Sequence, residues 1–184
     1  MGKFSEKISD EHAAFILKQH IFFVATAPLS RDGHINLSPK GLDCFRVLSP
    51  NTVAYMDLIS SGNETSAHTL ENGRITFMFC SFDHTPNILR LYGRGQTILK
   101  TDTQWEKLAA YFTIYPSTRQ IIVADITKVQ TSCGFGVPRY DFAGDRNIHF
   151  EWAERKGPEG LDAYKQENNL RSLDGLPTRL LESR

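Results

Sequence analysis

The residue types that most often carry chemistry, cysteine and histidine, are scattered along this 184-residue chain. Cys44, Cys80 and Cys133 form no Cys-x-x-Cys pair and have no histidine nearby at a zinc-ligand interval. The six histidines are also dispersed. We therefore expect no metal site, and we expect reduced thiols with mostly structural roles.

The sequence lacks the motifs of several common reaction classes. It contains no nucleophile elbow with Ser, His and Asp in a hydrolase order, and no Walker loop. Gly93-Arg94-Gly95 is followed by Thr97-Ile98-Leu99, which continues a strand where a dinucleotide-binding fold would begin a helix. Hydrolysis by a serine triad, nucleotide hydrolysis and Rossmann-type dinucleotide binding are therefore not indicated.

A polar segment, Ser61-Gly62-Asn63-Glu64-Thr65-Ser66, opens a predicted helix over residues 61–72. A helix N-terminus presents unpaired amides and about half a positive charge, so it can receive an anionic group. Asn63, Thr65 and Ser66 would surround that end. The alternative is plain capping, in which Ser61 and Glu64 form a capping box that satisfies the amides. From the residue types alone, capping is the favoured interpretation.

The elements that must position these residues are mainly strands. Period-2 or apolar runs predict strands at 21–29, 34–38, 44–48, 52–58, 74–82, 88–99 and 119–129, with helices at 9–20, 61–72 and 102–111. Ser30-Arg31-Asp32-Gly33 is typical of a hairpin turn. Six or so strands in hairpin order, with few helices long enough for parallel crossovers, predict a mainly β (α+β) antiparallel barrel.

Composition limits the partners of this chain. Forty per cent of its residues are hydrophobic, which suffices for one substantial core, and 21 basic side chains balance 21 acidic ones. No global field would draw it to nucleic acid or to an anionic membrane. The apolar run at 21–27 is too short to span a bilayer, and the first twenty residues carry acids rather than a cationic leader. We expect a cytoplasmic protein.

Five stretches carry a family resemblance: Phe22-Phe23-Val24-Ala25-Thr26, Ile35-Asn36-Leu37-Ser38-Pro39-Lys40-Gly41, Tyr55-Met56-Asp57-Leu58, Ser61-Gly62-Asn63-Glu64-Thr65 and Asn72-Gly73-Arg74-Ile75-Thr76-Phe77. Their order and spacing resemble the pyridoxamine 5'-phosphate oxidase-like FMN-binding family, in its broad and poorly characterised branch. The resemblance implies an antiparallel six-stranded split β-barrel over residues 1–130. It also implies a homodimer with FMN in the cleft between protomers. Residues 131–184 would be a C-terminal extension of the same domain near that cleft or the dimer interface.

The resemblance also implies a set of cofactor-binding residues. In that family the first hairpin supplies a lysine and backbone groups to the flavin, and the loop that opens the small helix receives the phosphate. Lys40 matches the family lysine, and a cation is what a phosphate of charge about −1.5 to −2 requires. The full set implied here is Asn36, Leu37, Ser38, Pro39, Lys40, Asp57, Ser61, Asn63, Glu64, Thr65 and Ser66.

The chain departs from the authentic oxidases at the phosphate end. Those enzymes carry an arginine entering the second strand and an Arg-Lys pair at the helix opening, where this chain has Ile35-Asn36 and Glu64-Thr65. We expect Arg90 or Arg94 on the adjacent strand as compensating cations, with solvated surface arginines as the alternative.

The C-terminal region departs from the authentic oxidases as well. An Arg-Leu-His-Asp-Arg type segment follows a C-terminal tryptophan in the enzymes that oxidise vitamin B6 phosphates, but Trp152 here is followed by Ala153-Glu154-Arg155-Lys156-Gly157. This difference argues against pyridoxine phosphates as substrates. Two other segments, Ser132 to Pro138 and Asn169 to Pro177, could line the flavin cleft instead.

Three hypotheses about function remain open at this stage. The first is an FMN-dependent oxidoreductase of unknown substrate, in which the flavin does the electron chemistry. The second is a non-catalytic module that holds flavin, haem or deazaflavin in the same cleft. The third, motivated by the missing Arg-Lys pair, is a structural dimer that has lost its ligand.

Overall fold

The computed structural model describes residues 2–182, which form an antiparallel sheet surrounded by helices. The strands are β1 (Lys3–Ser5), β2 (Phe22–Thr26), β3 (Asn36–Lys40), β4 (Phe45–Ser49), β5 (Thr52–Leu58), β6 (Arg74–Cys80), β7 (Ile88–Ile98) and β8 (Thr118–Ser132). The helices are α1 (Asp10–Leu17), α2 (Glu64–Glu71), α3 (Trp105–Ala109), α4 (Ile148–Asn168) and α5 (Arg179–Glu182).

The sheet runs in the order β3-β2-β6-β7-β8-β5-β4, and β1 pairs with β8. All pairings are antiparallel. Among the described residues the edge strands β3 and β4 are not paired, so a seam stays open between them. The expected mainly β split barrel is confirmed, but the sheet has eight strands rather than six. The three residues of β1 are too short to show an alternating pattern.

Aromatic and branched side chains fill the interior of the curled sheet. Phe22 and Phe45 pack edge to face with ring centroids 4.9 Å apart, and Phe77 lies 5.4 Å from Phe45. Val24 and Tyr55 are fully buried in the same cluster. This packing holds β2, β4, β5 and β6 together, and so it fixes the two edges of the seam relative to each other.

The C-terminal region contains a helix that the sequence patterns did not predict. Helix α4 is broken at Gly157, which has a φ of 65°, and Pro158 starts its second half. Ala153 and Leu161 pack on Ile59 at the end of β5, which places the end of α4 beside the start of α2. No helix in the described part of the chain combines the length and apolarity needed to cross a membrane.

Candidate functional site

An ion pair crosses the open seam of the barrel. Lys40 ends β3, and its Nζ lies 2.9 Å from Oδ1 of Asp57 on β5. These strands are not neighbours in the sheet, so only the curling of the sheet brings the two side chains together. Asp57 is 2 % exposed, and Lys40 retains partial access to solvent.

A second cation lies on the other oxygen of the same carboxylate. Arg119, at the start of β8, donates from Nη2 and Nε to Oδ2 of Asp57 at 2.6 and 3.2 Å, and Gln120 donates from Nε2 at 2.8 Å. Burial alone would raise the pKa of the Asp57 carboxyl, but the Arg119 and Lys40 charges hold that pKa well below its usual range. Asp57 therefore stays ionised and acts as an anchor for two cations rather than as an acid.

The two cations keep hydrogen-bond donors for another anion. Lys40 uses one of its three N–H groups on Asp57. Within residues 2–182, Arg119 uses its Nε–H, both Nη1–H groups and one Nη2–H group, so one Nη2–H is left. With one carboxylate between them, the three charges carry a net charge of about +1.

The start of α2 closes one side of this cluster. The helix begins at Glu64 and has Asn63 at its N-cap, but the Asn63 side chain makes no capping hydrogen bond. The predicted capping box of Ser61 and Glu64 is wrong, because the Glu64 carboxylate accepts instead from the backbone amide of Leu173 at 3.1 Å. That contact gives the carboxylate a partner outside the helix start.

A row of polar side chains on β3 forms the opposite side. The alternation of the strand places Asn36, Ser38 and Lys40 on one face. Asn36 donates from Nδ2 to the hydroxyl oxygens of Thr26 and Thr65, each at 3.2 Å, and it accepts from Ser38 at 2.9 Å. Strand β3 is thereby tied to the first turn of α2.

These elements enclose a cavity of about 460 Å³, here called the seam cavity. Its size falls in the range of small-molecule and cofactor sites. The sequence-predicted residues that line it are Asn36, Leu37, Ser38, Lys40, Asp57, Ser61, Asn63, Glu64 and Thr65, and the other lining residues are His34, Ile35, Ser60, Gly62, Arg119 and Leu173.

Four of the predicted residues lie outside that lining: Pro39, Ser66, Arg90 and Arg94. Ser66 is buried, and its hydroxyl accepts from the amide of Arg179. Arg90 donates to the Ser132 hydroxyl, and Arg94 donates to the carbonyl of Asn72 at the opposite end of α2. The role of these four residues as cofactor contacts stays a prediction.

The sequence patterns missed Arg119 and Gln120, and they indicated Asn169 only as part of the segment 169–177, with no role of its own. Arg119 and Gln120 open a strand that continues as Ile121-Ile122-Val123, and both are buried. Two large polar residues at the head of such an apolar strand are the signal that could have found them, because buried polar side chains require partners. Asn169 has no comparable signal, since it follows a charged helix whose packing is set by tertiary contacts.

A larger cavity, of about 1040 Å³, lies between residues 139–146 and the loops at 18–21 and 82–84. Its cations Lys18, Arg139 and Arg146 are exposed to solvent. We place the candidate site in the seam cavity because its charges are buried and mutually oriented. Within the part of the chain that the structure describes, no group of three or more His, Cys, Asp or Glu is arranged to hold a metal ion.

The chain belongs to the pyridoxamine 5'-phosphate oxidase family, whose model matches residues 8–133. It is 42% identical over 196 aligned residues to the pyridoxamine 5'-phosphate oxidase family protein ustO of Aspergillus flavus, an alignment that covers 96% of this chain and 78% of that protein.

Solved structures share the fold at low identity. HupZ of Group A Streptococcus matches with a TM-score of 0.52 and 18% identity, over 66% of this chain and 91% of HupZ. A protein from Lactobacillus delbrueckii matches with a TM-score of 0.53 and 15% identity, over 68% of this chain and 94% of that one.

Proposed function

We propose that this chain binds FMN in the seam cavity, with the phosphate between Lys40, Arg119 and the first turn of α2. The observation that carries the proposal is the shared carboxylate of Asp57, which orients both cations and leaves each with donors for a ligand. The N-terminus of α2 adds backbone amides and a partial positive charge. The family membership supports the same assignment.

The residues around the cavity fit a ligand with one anionic and one apolar end. The base of the cavity is charged. Ile35, Leu37 and Leu173 also line the cavity, and these residues are 77 %, 64 % and 75 % exposed. A flavin has a flat, largely apolar ring system at the end opposite its phosphate. We place the ring system against these three side chains.

A second copy of the chain would cover the exposed side of that ring system. Large apolar side chains clustered at one exposed cavity are typical of a surface that is buried on assembly. The proposed functional unit is therefore a homodimer with one flavin at each seam cavity. It would be cytoplasmic and have no nucleic acid or membrane partner, consistent with the balanced charge of the chain.

Within such a unit the flavin supplies the redox chemistry and the protein supplies binding and orientation. We propose an oxidoreductase of unknown substrate. Asp57 is committed to Lys40 and Arg119, so it is unsuited to proton transfer. That commitment favours one alternative, a non-catalytic module that holds flavin, haem or deazaflavin in this cavity.

Absorbance and titration of the purified protein test the proposal. We expect flavin absorbance bands, tight binding of added FMN and weaker binding of riboflavin, which lacks the phosphate. Loss of the flavin colour on addition of NADH or NADPH supports the oxidoreductase, whereas a stable colour supports the module. A protein that takes up neither FMN nor riboflavin would overturn the proposal.

A further inference from the structure

Asn169 joins the C-terminal segment to Arg119, Asn63 and Ser60, three residues that line the seam cavity. It directly follows α4, has no solvent exposure, and uses every polar atom of its side chain. Its Nδ2 donates to the carbonyl of Ser60 at 2.9 Å, and its Oδ1 accepts from Nη1 of Arg119 at 2.7 Å. Its backbone carbonyl accepts from Asn63 at 3.1 Å and from the hydroxyl of Thr178 at 2.8 Å.

The bond to Arg119 orients a ligand-facing group. Nη1 of Arg119 donates to Oδ1 of Asn169 and to the carbonyl of Gly62, while the Nε and Nη2 side holds Asp57. Because the guanidinium is planar, contacts on both sides determine the direction of its remaining N–H group. Without the Asn169 side chain, the Nη1 edge of that plane keeps only the carbonyl of Gly62.

The hydrogen bond between Asn63 and Asn169 affects how the start of α2 is capped. Asparagine at an N-cap normally turns its side chain toward the first amides of its own helix. Here Nδ2 of Asn63 is held by the carbonyl of Asn169, and Oδ1 accepts from Nε2 of Gln120 at 2.7 Å. The side chain is thereby kept from capping α2, which leaves the first amides of the helix to other partners.

We infer that Asn169 is a positioning residue for the anionic end of the ligand. It acts through Arg119, whose guanidinium it orients, and through Asn63, which it holds away from the start of α2. The C-terminal segment is in this way part of the site, even though it lies beyond residues 8–133, which the family model matches. The inference rests on the proposed binding of FMN in the seam cavity.

The test compares Asn169→Ala with Asn168→Ala in the full-length protein. Asn168 is the adjacent residue, is only half-buried, and donates to the carbonyl of Tyr164 within its own helix. We expect Asn169→Ala to weaken FMN binding about tenfold or more, since a hydrogen bond to a charged group is lost. We expect Asn168→Ala to change the dissociation constant by less than about twofold.

A selectivity measurement separates positioning from a general structural role. Asn169→Asp preserves an acceptor for Arg119 but adds a negative charge beside it, so it should weaken FMN binding much more than riboflavin binding. The dissociation constant of riboflavin divided by that of FMN, both measured by flavin fluorescence, should therefore fall toward one in this variant.

The outcomes distinguish this inference from the proposed function. If both Asn169 variants bind FMN like the wild type, or lose FMN and riboflavin equally, Asn169 is not a positioning residue for the phosphate. If the wild-type protein itself binds neither flavin, the proposed function fails first. Should Asn169→Ala fold poorly, the Asn169→Asp ratio decides the question alone, because riboflavin binding reports that the cavity is intact.

Discussion

Lys40 and Arg119 contact the same buried carboxylate on different oxygens, Oδ1 and Oδ2 of Asp57. This arrangement offsets the cost of burying Asp57, which an isolated carboxylate would escape by taking up a proton. In the proposed site, this pair of cations would stand in for the Arg-Lys pair that the chain lacks at the helix opening. Within residues 2–182, Arg119 lines the cavity, whereas Arg90 and Arg94 do not.

Replacement of Lys40 by alanine should weaken FMN binding while leaving the fold intact. Asp57 keeps its bonds to Arg119 and Gln120, but the phosphate loses a charged donor. We expect a loss of about 1.5–3 kcal/mol, roughly ten- to a hundredfold in the dissociation constant, measured by fluorescence titration. Lys107→Ala is the control, because Lys107 is exposed and lies outside the seam cavity. An unchanged affinity in Lys40→Ala would show that the phosphate binds elsewhere.

Asp57 should make the stability of the protein sensitive to acid. Its pKa is lowered in the folded state, so its contribution is present above the unfolded-state pKa of about 3.9 and is lost as pH falls toward the folded-state pKa. In Asp57→Asn this part of the acid dependence should disappear, and stability at neutral pH should drop by about 3–5 kcal/mol because two cations lose their counterion.

Urea unfolding of the wild type and of Asp57→Asn between pH 7 and pH 3 measures the contribution of Asp57 to the acid dependence of stability. The wild type should lose more stability than Asp57→Asn over the acidic part of the range. Parallel curves for the two proteins would mean that the Asp57 carboxylate is not held ionised by its neighbours.

At the level of elements, the site depends on the ends of strands and helices. Lys40 ends β3, Arg119 lies near the start of β8, and α2 begins beside them. Helix α4 adds Asn169 because the break at Gly157 and the packing of Leu161 on Ile59 direct its second half to this point. A change in the path of α4 would therefore affect the cavity through Asn169, the residue that directly follows the helix.

Two glycines of α4 should respond oppositely to alanine. Gly157 has a φ of 65°, which L-residues avoid, so Gly157→Ala should destabilise the protein by about 1 kcal/mol. Gly160 lies in the second half of the helix, where an added Cβ meets only the flexible Lys156 side chain at 3.4 Å, so Gly160→Ala should stabilise it by about 0.5 kcal/mol. Thermal unfolding measures both, and destabilisation by both would contradict the conformational argument.

At the scale of the whole molecule, the open seam leaves the candidate site on one side without cover. Strand β3 is an edge of the sheet, and Ile35 and Leu37 expose most of their apolar surface beside the cavity. Apolar side chains of this size, grouped at a polar cavity, are the physical basis of the proposed homodimer.

Size-exclusion chromatography with light scattering tests whether the protein is a homodimer. We expect a mass of roughly twice the 20.8 kDa of one chain. Leu37→Asp should shift the protein toward the monomer and weaken FMN binding together, because a charge would enter the proposed interface. Tyr111→Asp is the control, as Tyr111 is exposed but lies outside the seam cavity. A monomeric wild type that binds FMN tightly would contradict the proposal.

Local patterns predicted most of the strands, because alternation and apolar runs are properties of neighbouring residues. The strands from β2 to β8 all overlap the predicted runs, although β3, β4 and β8 extend beyond them by up to three residues. The capping box of Ser61 and Glu64 was wrong, since Glu64 finds its partner in Leu173, 109 residues away. A pattern of neighbouring residues does not indicate a hydrogen-bond partner that lies so far away in the sequence.

The sequence by itself determined the mainly β architecture, the family, and most of the residues that line the seam cavity. These follow from short-range periodicity and from motifs that lie close together in the chain. Only the tertiary structure decided that Asp57 joins Lys40 to Arg119, and that Asn169 holds Arg119 from the other side. The physical reason is that ion pairs and buried hydrogen bonds depend on distances between strands, which the closing of the sheet sets and which spacing along the chain does not encode.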